Sequence, residues 1–157
     1  MTIKNNVTRL LDQRKIIFDV FDLPPEKLGA EETAELLGVP LEIVFKTIVV
    51  RRDGSGKPIL AMVPGTGDVD LKALAKAVGE KKVFLMNQKE AEALTRLQAG
   101  GISPLALLNR GFQVVIDSSA QDHQAVHISG GQLGLNIRLA SSDLIKLTKA
   151  RIAAICS

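Results

Sequence analysis

Lys46 is the residue whose type and setting most suggest chemistry. It lies in Phe45-Lys46-Thr47-Ile48-Val49-Val50, a run rich in β-branched residues that predicts a strand. In a strand, Phe45, Thr47 and Val49 share one face, and Lys46, Ile48 and Val50 share the other. Both faces are apolar, which fits a strand covered on two sides. An ammonium there either reaches water at a strand end or enters a pocket, where it would suit a phosphate or a ligand carbonyl. Two glycine motifs accompany it, Gly100-Gly101-Ile102-Ser103-Pro104 and Ser129-Gly130-Gly131. Such backbone either turns the chain or approaches a ligand closely and presents N–H groups to an oxyanion. Gly65-Thr66-Gly67 lacks the third glycine of a dinucleotide fingerprint.

Basic residues form a looser set. Lys72 and Lys76 are spaced i, i+4, Lys81 and Lys82 follow, and Arg51-Arg52 sits near a turn. They make either a solvated polar face or a track for an RNA backbone, positioned by phosphate contacts and not by base readout. His123 and His127 are also i, i+4, which on a helix is half a zinc site. Ala125-Val126-His127-Ile128 reads as a strand, so no metal is expected. No P-loop, nucleophile elbow or metalloprotease motif is present, and no cofactor is expected.

Composition narrows the classes further. The chain has 157 residues, 46% hydrophobic and 24% charged, with a formal charge of +3. That fits one soluble domain with a real core. Five Phe with no Tyr or Trp argue against a protein that reads single-stranded bases by stacking. The one cysteine, Cys156, excludes an internal disulfide and fits a reducing compartment. Its place on a tail expected to fray argues against a nucleophile. Residues 1–6 lack the apolar core of a secretory signal, and the longest apolar runs are far too short to span a membrane. A cytoplasmic protein is expected, with neither membrane nor DNA as partner.

The elements that must position Lys46 follow from patterning. Val7, Leu10, Leu11 and Arg14 predict a first helix after the capping Asn5 and Asn6. Strands are predicted at 16–21, 44–51, 59–63, 82–86, 113–116, 125–128 and 135–139. Asp53-Gly54-Ser55-Gly56 makes a hairpin of the second and third. Helices are predicted at 31–37, stopped by Gly38, at 71–78 behind the cap Asp70, and at 87–97 with the capping box Asn87…Glu90. A last helix runs from the cap Ser142 to Leu147. The whole reads as an α+β fold with a curved mixed sheet.

Four segments in this order and spacing resemble the YbaK/EbsC family of free-standing prolyl-tRNA-editing-like domains. They are 44–50, 70–79, Gly100 to Leu105, and Val126 to Gly131. The resemblance spans nearly the whole chain, residues 1–157, as a single domain. It implies a six- or seven-stranded, barrel-like mixed sheet with helices around it. It implies hydrolytic clearance of mischarged tRNA, most often cysteine on tRNA for proline, the substrate thiol assisting its own release. By resemblance Lys46 contacts the aminoacyl end or terminal adenosine, with Thr47 beside it. Backbone around Gly100, Gly101, Ile102, Ser103 and Pro104, with Ser129, Gly130 and Gly131, would hold the acyl carbonyl and the sugar. Asn136 lines the same pocket, where the family commonly has Asp. Asp22, Arg96 and Ala106 also depart from the family pattern. The implied partners are charged tRNA and prolyl-tRNA synthetase. A non-catalytic tRNA- or nucleotide-binding or synthetase-partner module, and an editing domain for alanine or another small amino acid, are the competing readings.

Overall fold

The computed structural model describes residues 5–157; residues 1–4, part of the stretch read for a signal, lie outside them. The order is α1 (Asn6–Gln13), β1 (Phe18–Asp22), α2 (Ala30–Leu37), β2 (Phe45–Arg52), β3 (Ile59–Pro64), α3 (Leu71–Ala77), β4 (Val83–Leu85), α4 (Gln88–Thr95), β5 (Gln113–Asp117), β6 (Ala125–Ser129), β7 (Leu135–Ala140), α5 (Ser141–Thr148) and β8 (Arg151–Ala153).

Local signals account for most of these boundaries. Asn5 and Thr8 form a reciprocal capping box on α1, and Asn87 and Glu90 form one on α4. The Asp70 side chain accepts from the Ala73 N–H and starts α3. Gly38 closes α2 in the left-handed region, at φ 69°. The last helix starts two residues earlier than a cap at Ser142 implies, with Ala140 at the cap position and no side-chain cap. Its Ser141 hydroxyl instead donates to the His123 carbonyl.

The strands form two sheets, ordered β1-β7-β6 and β4-β2-β3-β5-β8. The β3–β5 and β5–β8 pairs are parallel and the others antiparallel. A single parallel bridge, Val44 to His127, joins the sheets, so the expected mixed α+β architecture is present but open, not closed as a barrel. There are eight strands among the described residues, one more than expected. β8 is three residues long, too short to leave a period in the sequence.

The larger sheet is covered on both faces, as the two apolar faces of β2 require. Phe45 and Val49 of β2 join Leu60, Met62, Ile137 and Leu139 in one buried cluster. Val50 joins Ile59, Ala61, Val63 and Leu74 of α3 in the other, which also takes in Ile155. The C-terminal tail is therefore not frayed. Ile155 is fully buried, and the Asp117 carboxylate accepts from the Ile155 and Cys156 N–H groups at 2.9 and 3.0 Å. Among the described residues no helix is long and apolar enough to cross a membrane.

Candidate active site

β4 pairs with β2 only at Val50–Arg52. The first half of β2 therefore keeps an open edge, and a cavity of about 340 Å³ lies along it. The loop after β1, residues 99–102 and the start of β7 complete the walls. The Val49 carbonyl accepts from Met86 on this edge, whereas the Val44 carbonyl accepts from Gly65 on the other. Alternation then turns the Thr47 main chain toward the cavity, with no strand beside it to pair with.

Lys46 lines the cavity, its side chain about one-third exposed, and its Nζ lies 2.9 Å from Asp68 Oδ1. Asp68 is itself tied to the C-terminus, because the Ser157 N–H donates to its carbonyl at 2.8 Å. Buried Asp117, through Ile155 and Cys156, thus fixes the tail that borders the Lys46 partner. The Cys156 thiol stands nearby, its pKa raised by burial and by the Asp117 charge, which keeps it protonated and a poor nucleophile.

Asn136 is buried in the wall, and its Oδ1 lies 2.8 Å from His127 Nδ1. An amide oxygen only accepts, so His127 donates from Nδ1 and its Nε2 carries the lone pair. Nε2 is buried without a partner, and the ring centroid lies 5.3 Å from that of Phe21. Burial, ahead of the other influences, lowers the His127 pKa and keeps the ring neutral. With its oxygen engaged by His127, Asn136 has only its NH₂ left to donate to a ligand.

The structure brings Lys46, Thr47, Gly100, Ile102, Ser129 and Asn136 to this cavity. Gly101, Ser103, Pro104, Gly130 and Gly131 are not among its lining residues, and Pro104 lines a different cavity. Their N–H groups are largely spent: Gly101 donates to the Gln98 carbonyl, Gly130 to the Leu135 carbonyl and Gly131 to Ser129 Oγ. Ser103 caps a short 3-10 turn by accepting from the Leu105 N–H. Gly101 is glycine for contact between the two loops: a Cβ there would lie 3.0 Å from the Gln132 backbone. A Cβ at Gly130 would lie 2.5 Å from Leu135, another wall residue. Sequence reasoning missed Glu26 and Lys27, which also line the cavity. The proline-rich turn after β1 hid them, since nothing in it shows that the loop folds back over β2.

The basic set is not at the cavity. Arg52 is committed inside the fold, donating to the Lys57 carbonyl, to Glu80 and to Gln113. The Arg51 guanidinium lies 4.4 Å over the Phe84 ring. Lys72, Lys76, Lys81 and Lys82 are exposed on or just beyond α3. Among the described residues no cluster of ligand-type side chains could hold a metal ion.

The chain matches the aminoacyl-tRNA editing domain family over residues 24–147. It is 35% identical over 154 residues to EbsC of Enterococcus faecalis, named as a candidate Cys-tRNA(Pro)/Cys-tRNA(Cys) deacylase, covering 97% of this chain and 93% of that one. It is also 30% identical over 116 residues to a proline–tRNA ligase of Desulfovibrio desulfuricans, covering 66% of this chain and 19% of the ligase. In fold it is similar to the crystal structure of a hypothetical protein, with a TM-score of 0.89 at 23% identity over 98% of this chain and all of the other. A candidate trans-editing enzyme for prolyl-tRNA synthetase superposes with a TM-score of 0.82 at 22% identity over 99% of both chains. The open edge of β2, the cavity beside it and the length of these matches agree: the chain belongs to the aminoacyl-tRNA editing domain family, in its YbaK/EbsC group.

Proposed function

We propose that the chain acts as one domain and in trans, as a deacylase of mischarged tRNA, with cysteine on tRNA for proline as its leading substrate. The observation that carries this reading is that Lys46 and Asn136 both line one small cavity beside the open edge of β2. An aminoacyl ester is already activated, so hydrolysis by water needs chiefly positioning and a place for the negative charge that grows on the carbonyl oxygen. Lys46 and the Asn136 NH₂ supply that charge stabilisation, and the Thr47 main chain and Ser129 hydroxyl orient the acyl group and the sugar. Gly101, Gly130 and Gly131 contribute by shape, since their N–H groups bond within the loops. The cavity lies at the small end of the range for ligand sites, which suits a small side chain. The likeness to part of a proline–tRNA ligase supports prolyl-tRNA synthetase as the partner whose errors are cleared, in the cytoplasm.

A panel of mischarged tRNAs tests the reading. Cys-tRNA(Pro) should be cleared at least tenfold faster than matched Pro-tRNA(Pro). Faster clearance of Ala-tRNA(Pro) would overturn the cysteine assignment. Absence of turnover on every ester would overturn the enzyme.

A further inference from the structure

A second cavity, of about 620 Å³, lies at the other end of the larger sheet. Arg14, Lys57, Lys146 and Lys149 line it together with Asn109 and Gln113, and no carboxylate does. The four cations come from separate places in the chain: the end of α1, the β2–β3 turn, and the last turn and cap of α5. All four are exposed, and none makes an ion pair with a described carboxylate. Cations near helix C-termini are favoured by the helix dipole alone. That explains Arg14, Lys146 and Lys149 but not Lys57, which sits on a hairpin turn. Nor does it explain why the 17 acidic residues of the chain all avoid the cavity. Four unpaired cations around one polar hollow raise the local potential and select a polyanion.

The position matters as much as the charge. β3 runs from Ile59, beside the second cavity, to Pro64, which pairs with Phe45 at the first. Six strand residues put roughly 20 Å between the two ends. The connection between α4 and β5 lines both cavities, through Gly100 and Ile102 at one and Pro104, Leu107 and Asn109 at the other. We propose that this second cavity binds backbone phosphates of the RNA whose charged end enters the Lys46 cavity, holding the strand several nucleotides away from the ester. The proposal rests on the deacylase reading for the identity of the RNA, but binding tests it separately. Ammonium and guanidinium groups around an open hollow give salt-dependent phosphate contacts with little base preference.

The test uses Arg14→Gln/Lys146→Gln/Lys149→Gln in the full chain, with Lys72→Gln/Lys76→Gln as a control that removes charge from α3. The probes are an uncharged tRNA(Pro) transcript and a cysteinyl-CCA trinucleotide too short to span the two cavities. The triple variant should bind the transcript at least tenfold more weakly. Its plot of log affinity against log salt should lose a slope of about 2, as expected for two or three lost phosphate contacts. It should hydrolyse the trinucleotide at the wild-type rate. Unchanged tRNA binding and salt slope would overturn the proposal. So would an equal loss from the α3 control, or a parallel loss of trinucleotide hydrolysis. If wild-type protein hydrolyses neither ester, the deacylase reading fails while the binding data still decide the phosphate site.

Discussion

At the scale of single residues, the proposed site depends on an amide whose direction is set by a buried imidazole. His127 reads in the sequence as a strand residue with a meaningless zinc spacing, and the strand is correct. Its partnership with Asn136 was not legible, because strand register across β6 and β7 brings them together. The pairing has a pH signature. Burial holds the folded-state pKa of His127 below its ordinary 6.5. Below pH 6.5 the unfolded chain therefore takes up a proton that the folded chain refuses, and stability falls as pH drops toward the lowered value. The contribution is full above pH 6.5. Urea unfolding of wild type and His127→Gln at pH 7.5 and 5.5 should show the larger acid loss in the wild type. Parallel losses would remove His127 as the cause.

At the scale of elements, the well-patterned pieces were legible and the pieces that close the site were not. Capping at Asn5, Asp70 and Asn87 marked three helices correctly, and β-branched runs marked β2 and β3. The order of the tail was not legible because its signals are short and its anchors are distant in sequence. β8 has three residues, and the anchoring carboxylate Asp117 and the tethered Asp68 lie far off in sequence. Asp117 accepts at once from Ser119, Ile155 and Cys156. Removing it leaves buried N–H groups unpaired, which should cost about 2–4 kcal/mol in Asp117→Ala. Urea unfolding measures this directly, and a loss under about 1 kcal/mol would contradict the anchoring role. The glycine loops teach a related lesson. Their sequence offers free backbone donors, whereas the structure spends those donors within each loop and packs Gly101 of one loop against Gln132 of the other.

At the scale of the whole molecule, the proposed site follows from leaving one sheet edge open. The larger sheet buries both faces, so the chain keeps a stable core while the first half of β2 faces a cavity and not a strand. On the proposed reading few aromatic rings suffice, because cations and amides grip the charged end of the RNA without base stacking. The central claim is that Lys46 stabilises the reacting ester in that cavity. Its pair with exposed Asp68 is worth at most about 1 kcal/mol, so Lys46→Ala should fold with nearly wild-type stability. Single-turnover deacylation of Cys-tRNA(Pro) by Lys46→Ala should be slower than wild type by roughly 10²–10³-fold, the cost of losing one preorganised charge-stabilising group. A folded Lys46→Ala protein that clears Cys-tRNA(Pro) at the wild-type rate would contradict it.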